Sequence, residues 1–173
     1  SRIVPMDGKW ADITLMPNLP GLTDVGNCRD WEAGIPIDLE KMVSDVINFH
    51  KKEAEYRDIA IHVDIPATVP LIETDRGKLQ QIILNLVSNA FQATDNGGRL
   101  AIRADLNGTE HVRLSIRDNG CGISEEHLNK IFEPFFTTKK EGKGTGLGLS
   151  ITYGLVKKLH GDITVQSKQG KGT

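Results

Sequence analysis

Four glycines, Gly142, Gly144, Gly146 and Gly148, fall at every second position immediately before an apolar helical stripe. Glycine tolerates positive φ and lets a backbone approach a ligand closely. The free amides at a helix start attract anions. The run therefore reads as an anion-receiving loop feeding a helix over Leu149–Leu159, with a triphosphate as the obvious ligand and a flexible linker as the plain alternative. Two familiar phosphate motifs do not fit. A Walker loop needs Gly-Lys-Ser/Thr after four spacers, which is absent. A dinucleotide fingerprint needs a preceding buried strand, and Thr137–Lys143 is polar and basic.

The segments around this loop alternate between two periods. Leu39, Met42, Val43, Val46, Ile47 and His50 recur at helical spacing through Glu55, with Asp38 as candidate N-cap. Ile59, Ile61, Val63 and Ile65 alternate as a half-buried strand ended by Pro66. Leu79, Ile82, Ile83, Leu86, Val87, Ala90 and Phe91 predict an amphipathic helix over Asp75–Thr94, stopped by Asp95-Asn96-Gly97-Gly98. Arg99–Leu106 and His111–Asp118 alternate about Asn107-Gly108, a hairpin signal. A short helix follows Ser124, the helix at Leu149–Leu159 closes with Gly161 in the left-handed position, and a last strand begins at Ile163. Runs of helices and hairpin-joined strands predict a mostly antiparallel sheet with helices on one face. Residues 1–36 carry Pro5, Pro17, Pro20, Pro36 and several glycines. They read as loops with one short strand near Ile13–Met16 and no independent core.

Composition narrows the function. A net charge of −2 supplies no field to steer the chain to nucleic acid. Cys28 and Cys121 lack the spacing of a zinc site or a disulfide framework, and reduced thiols in a cytoplasmic protein are the simpler reading. No stretch approaches the ~20 apolar residues of a membrane helix.

Three further groupings carry chemistry. Asp118-Asn119-Gly120-Cys121-Gly122 ends an alternating strand. A carboxylate there can accept from an exocyclic amine such as that of adenine, and the glycines let a ring lie close; a plain turn uses the same residues. Asn85 and Asn89 are i and i+4 on the flank of the apolar stripe. Such amides can ligate a hard cation through oxygen, or can simply satisfy nearby backbone. Ile131-Phe132-Glu133-Pro134-Phe135-Phe136-Thr137-Thr138-Lys139 leads into the glycine loop and reads either as a mobile lid with aromatic anchors or as a small satellite core.

Taken in order, the asparagine helix, Asp-x-Gly-x-Gly, phenylalanine segment and glycine loop resemble the N, G1, F and G2 boxes of the histidine-kinase catalytic domain, in one superfamily with gyrase, heat-shock chaperone and mismatch-repair ATPases. The resemblance runs from about Asp38 to Thr173. The wording Phe135-Phe136-Thr137-Thr138-Lys139 and Asn89-Ala90-Phe91-Gln92-Ala93 looks most like the nitrogen-regulation type of sensor kinase. The resemblance implies an α+β fold: a two-layer α/β sandwich of the Bergerat type, with a mixed, mostly antiparallel sheet, helices on one face and an ATP lid. It implies ATP and Mg²⁺ as cofactors. Asp118 would accept from the adenine amine, and Gly120 and Gly122 would admit the ring. Asn89 would ligate Mg²⁺, with Asn85 in support or as a further ligand. Gly144, Thr145, Gly146, Leu147 and Gly148 would wrap the phosphates, with Thr137, Lys139 and Lys143 reaching them from the lid. Many relatives carry a lysine or arginine two or three residues past the second asparagine. Here Phe91, Gln92 and Ala93 stand there, which favours Lys139 as the phosphate cation.

The implied reaction is γ-phosphoryl transfer to a histidine on a separate dimerisation domain of the same protein, and onward to a response regulator receiver domain. The phospho-accepting histidine is not expected among His50, His62, His111, His127 and His160, because none is followed by the acidic, basic and proline pattern within a long amphipathic helix. The chain is therefore expected to bind Mg·ATP without phosphorylating itself. Gyrase-like ATPases place a glutamate base one turn before the metal asparagine; here that position is Asn85, which argues against efficient hydrolysis. The rival readings are a protein-serine kinase of the anti-sigma type and a non-catalytic ATP-sensing module. The domain is expected to span 37–173 and to lack the final strand into which relatives continue, leaving a ladder edge unpaired. Residues 1–36 would be an irregular segment, a remnant of the dimerisation and linker region.

Overall fold

A computed structural model describes residues 11–15, 36–107, 111–139 and 144–173. Its elements are β1 (Ala11–Leu15), α1 (Leu39–Arg57), β2 (Ala60–Asp64), α2 (Arg76–Ala93), β3 (Arg99–Asn107), β4 (His111–Asp118), α3 (Glu125–Leu128), α4 (Gly148–Lys158) and β5 (Asp162–Val165). They form one five-stranded sheet in the order β2-β3-β4-β1-β5. β2 pairs parallel with β3, and the other three pairings are antiparallel. The expected mixed, mostly antiparallel α+β architecture is the one observed.

The starts of α1 and α2 follow the predicted chemistry, whereas Ser124 before α3 makes no side-chain cap bond and pairs with His127 Nδ1 at 3.0 Å. Asp38 accepts from Lys41 N at 3.0 Å and Asp75 from Lys78 N at 2.9 Å, each satisfying an orphan amide. The stripe predicted on α2 is its buried face, from Leu79 through Phe91. It meets Leu100, Ile102 and Ala104 of β3 and Val112, Leu114 and Ile116 of β4 in one core. Each such aliphatic side chain removed from water contributes about 1.5–3 kcal/mol, so α2 is pinned by packing more than by its own propensity. Arg57 of α1 binds the far end of α2, donating to Phe91 O at 2.9 Å, to Thr94 O and to Asn96 Oδ1 at 3.1 Å. The first two are backbone carbonyls at the end of the helix, where no helical amide follows to pair them.

Two expectations are corrected. The short N-terminal strand, expected near Ile13–Met16 in a segment outside the domain, is Ala11–Leu15 and lies inside the sheet. It is antiparallel to β4 from Ala11↔Ile116 to Leu15↔Val112, and to β5 from Ala11↔Val165 to Thr14↔Asp162. β4 is thus paired on both sides, with β3 and with a strand about 100 residues upstream. The rest of residues 1–35, Cys28 and the Gly108 position of the hairpin turn lie outside the described residues. At the end of α4 the left-handed residue is His160 (φ 56), not Gly161. Gly161 N closes the turn on Val156 O at 3.0 Å. Among the described residues no helix is long and apolar enough to cross a membrane.

Candidate functional site

Asn85, Asn89 and Gln92 stand on the flank of α2, three or four residues apart and so on one side of the helix. Three loops converge on that flank. The first follows β4 and lies on the C-terminal turn of α2, where Cys121 N donates to Ala93 O at 3.0 Å. Gly120 comes so close that a Cβ would fall 2.1 Å from Ala93 O. A side chain is sterically impossible there without moving the helix, so 118–122 is a close-approach loop and not only a turn.

Asp118 lies just before it and is 5% exposed. Its Oδ1 accepts from Gly120 N at 2.8 Å, and its own amide donates to Thr173 O at 2.9 Å. Burial pushes its carboxyl above the ordinary value, outweighing the Gly120 amide that favours the charged form. A buried carboxyl with one oxygen fixed by a backbone amide suits the recognition of a single donor. Cys121 carries an exposed free thiol.

The second loop is the glycine run entering α4. Asn85 Nδ2 donates to Gly148 O at 3.3 Å and to Thr152 Oγ1 at 3.2 Å. Thr152, wholly buried, donates to Gly148 O at 2.9 Å. Asn85 is therefore a clasp between α2 and the start of α4, and its amide nitrogen points at that junction. Gly148 stands beside Asn89, a Cβ there lying 3.8 Å from Asn89 Nδ2. Gly146 takes φ 66, and a Cβ would meet Phe135 C at 2.4 Å. Thr145 Oγ1 accepts from Leu147 N at 3.4 Å. Lys143 lies outside the described residues.

The third is the phenylalanine segment. Phe132 packs on Tyr153 of α4 with centroids 5.2 Å apart, and Phe136 on His127 of α3 at 5.5 Å. Phe135 between them is 75% exposed and sits at φ 66, a strained setting for an aromatic residue. The segment is thus both anchored and presented. Beyond it Thr137 Oγ1 accepts from Lys139 N at 3.1 Å. The Lys139 ammonium reaches back to α2, lying 3.4 Å from Asn89 Oδ1 and donating to Gln92 Oε1. Partial burial in this position holds the lysine below its usual value.

Sequence reasoning passed over Gln92, Thr152 and Arg57 as site or support residues. Gln92 was reachable, since i+3 from Asn89 places it on the same flank. The other two depend on contacts between elements far apart in the chain.

Residues 74–173 match the family model described as histidine kinase-, DNA gyrase B- and HSP90-like ATPase. The chain belongs to that ATPase family. Within it, the chain is similar to sporulation kinase E of Bacillus subtilis, 32% identical over 133 residues that cover 77% of this chain and 18% of that protein. It therefore spans less than a fifth of that curated relative. Among solved structures it is similar to full-length ShkA in complex with AMPPNP (TM-score 0.72, 31% identity, 80% of this chain and 29% of that one). It is also similar to the catalytic domain of the histidine kinase ThkA (TM-score 0.64, 33% identity, 72% and 81%). ThkA has in addition been solved with the response regulator protein TrrA (TM-score 0.65, 28% identity, 80% and 39%). The fold and family of this chain are those of a sensor histidine kinase catalytic domain.

Proposed function

We propose that this domain binds Mg·ATP along the α2 flank and delivers the γ-phosphoryl group to a histidine on a separate dimerisation domain, from which a response regulator receives it. The observation that carries this reading is the convergence of the Asp118 loop, Asn89 and the 144–148 backbone on one run of α2. Membership of an ATPase family and likeness to a kinase solved with AMPPNP support a nucleotide as ligand. Likeness to a kinase solved with its regulator supports the onward partner.

Asp118 takes the adenine amine with the oxygen that Gly120 leaves available. The glycine loop offers amides to the phosphates at the start of α4. Asn89 fits a hard dication because its Oδ1 already faces a cation, the Lys139 ammonium. Among the described residues no cluster of three His, Cys, Asp or Glu could hold a metal. A Mg²⁺ ion held here would take its other ligands from phosphate and water. When bound it would neutralise charge on the phosphates, while the domain orients them. Asn85 serves as the clasp that keeps α4 against Asn89. None of the five histidines stands as an acceptor: His50, for one, is packed on Phe91 with centroids 4.7 Å apart and pairs with Ser88 Oγ at 3.3 Å. The wording of the asparagine and phenylalanine segments points to the nitrogen-regulation type, working in the cytoplasm.

The test is to mix the chain with a histidine-bearing helical domain and labelled ATP. Label that enters the helical domain and is lost in acid is the expected result. Acid-stable label would mean a serine kinase, and no label despite nucleotide binding would mean a sensing module.

A further inference from the structure

We infer that Gln92 is the docking residue for the lid lysine, holding the Lys139 ammonium at the place where Asn89 would otherwise meet a metal ion. The inference rests on the nucleotide reading above and assigns a residue that reading does not use.

Four contacts fix Lys139. Its ammonium donates to Gln92 Oε1 and lies 3.4 Å from Asn89 Oδ1, two amide oxygens one helical turn apart. Its amide is tied to Thr137 Oγ1 at 3.1 Å. Its aliphatic stem lies under the glycine loop, where a Cβ at Gly144 would come within 3.1 Å of Lys139 Cδ and 3.3 Å of its Cβ. A long lysine side chain in water pays rotamer entropy to hold one geometry. Here helix, lid and glycine loop all constrain it, which a passing surface contact does not require.

The chemistry of the two oxygens then separates their roles. An ammonium and a dication cannot share Asn89 Oδ1, because like charges at contact distance repel. Lys139 must leave Asn89 before a metal takes that oxygen. Gln92 lies one turn nearer the Asp118 loop and need not release it. Gln92 is thus a pivot: it keeps the lysine beside the phosphate path while the ammonium swings off Asn89. In this turn α2 carries Phe91, Gln92 and Ala93 and no cation of its own. The helix borrows one from the lid through a neutral amide. Gln92 is a positioning residue, acting through Lys139.

The experiment measures ATP affinity by calorimetry in excess EDTA and in excess Mg²⁺, for wild type, Gln92→Ala, Lys139→Gln and the double variant. Trypsin cleavage after Lys139, followed by mass spectrometry, reports docking directly, since a docked lysine cannot enter the protease pocket. Gln92→Ala should lower affinity in EDTA about three- to tenfold, as expected for a partly exposed charged hydrogen bond. The loss should be at least as large in Mg²⁺, where the metal occupies Asn89 and Gln92 alone holds the lysine, and cleavage after Lys139 should quicken. Lys139→Gln should show the same affinity losses, and the double variant should be no worse than Lys139→Gln alone. Losses that add in the double variant, or Gln92→Ala with wild-type affinity and cleavage, would overturn the inference while leaving the nucleotide reading intact. A folded wild type that takes up no ATP would overturn both.

Discussion

At the scale of single residues, the site turns on groups whose environment sets their chemistry. Asp118 is the clearest. Its folded carboxyl is raised above 3.8 by burial. Its contribution to stability is therefore full below that unfolded value and is lost as pH rises through the folded one. Once pH has passed the folded value, the buried charge on Asp118 weakens the nucleotide-free fold. Asp118→Asn should raise the melting temperature of the free domain near pH 7. The same change should cost about 10- to 100-fold in ATP affinity. With its Oδ1 still held by Gly120 N, the asparagine would turn an amide donor toward the adenine amine. Thermal melts and calorimetry across pH check both signs; a variant that binds ATP as wild type does would remove Asp118 from the site. Gly146 makes a second residue-scale case. Gly146→Ala should cost about 1–2 kcal/mol from its left-handed backbone alone, plus a clash with the Phe135 backbone, read as a lowered urea midpoint. The turn positions of Asp118 and the glycines were legible because each needs a particular residue type at a particular place in a turn. The left-handed His160 was not, since glycine one position later offers the same signal and only the hydrogen bond from Gly161 N to Val156 O settles the register.

At the scale of elements, periodicity did most of the work. The stripe on α2 and the alternation in β3 and β4 translate directly into the buried face of the core, and Asp38 and Asp75 mark helix starts by their side-chain acceptors. Two things escaped. Arg57 lies two residues past Glu55, where the helical spacing of α1 ends in the sequence, yet it joins the carbonyls at the end of α2, some 35 residues downstream. Arg57→Ala should destabilise the domain by about 1.5–3 kcal/mol, measured by urea unfolding, with Arg57→Lys recovering only part because a point charge cannot fork between carbonyls. The pairing of β1 escaped because a five-residue strand among prolines and glycines has no local mark of its partners, which follow it by about 100 residues or more. Since it lies between β4 and β5, its amides face one ladder or the other. Ile13→Pro should therefore cost at least about 2 kcal/mol in unmade hydrogen bonds, or roughly 4–8 °C in melting temperature at this size. An unchanged melt would mean that β1 is dispensable to the sheet.

At the scale of the whole molecule, the sheet and its helices hold three loops against one flank of α2, and function follows from that convergence. The order of the four motifs made the family legible before any coordinates. What the order could not show was how the loops are held: the clasp of Asn85 on Gly148 and Thr152, and the reach of Lys139 to Asn89 and Gln92. Because none of the five histidines carries the sequence pattern of a phospho-acceptor, the isolated chain incubated with labelled ATP should remain unlabelled. Self-labelling abolished by changing one of its histidines would contradict that. The most direct test of the central claim is calorimetry of ATP with the folded chain in Mg²⁺, wild type beside Asp118→Ala and Asn89→Ala. One site per chain, weakened in both variants, is the predicted result; no uptake by the folded wild type, or uptake indifferent to both changes, would contradict it.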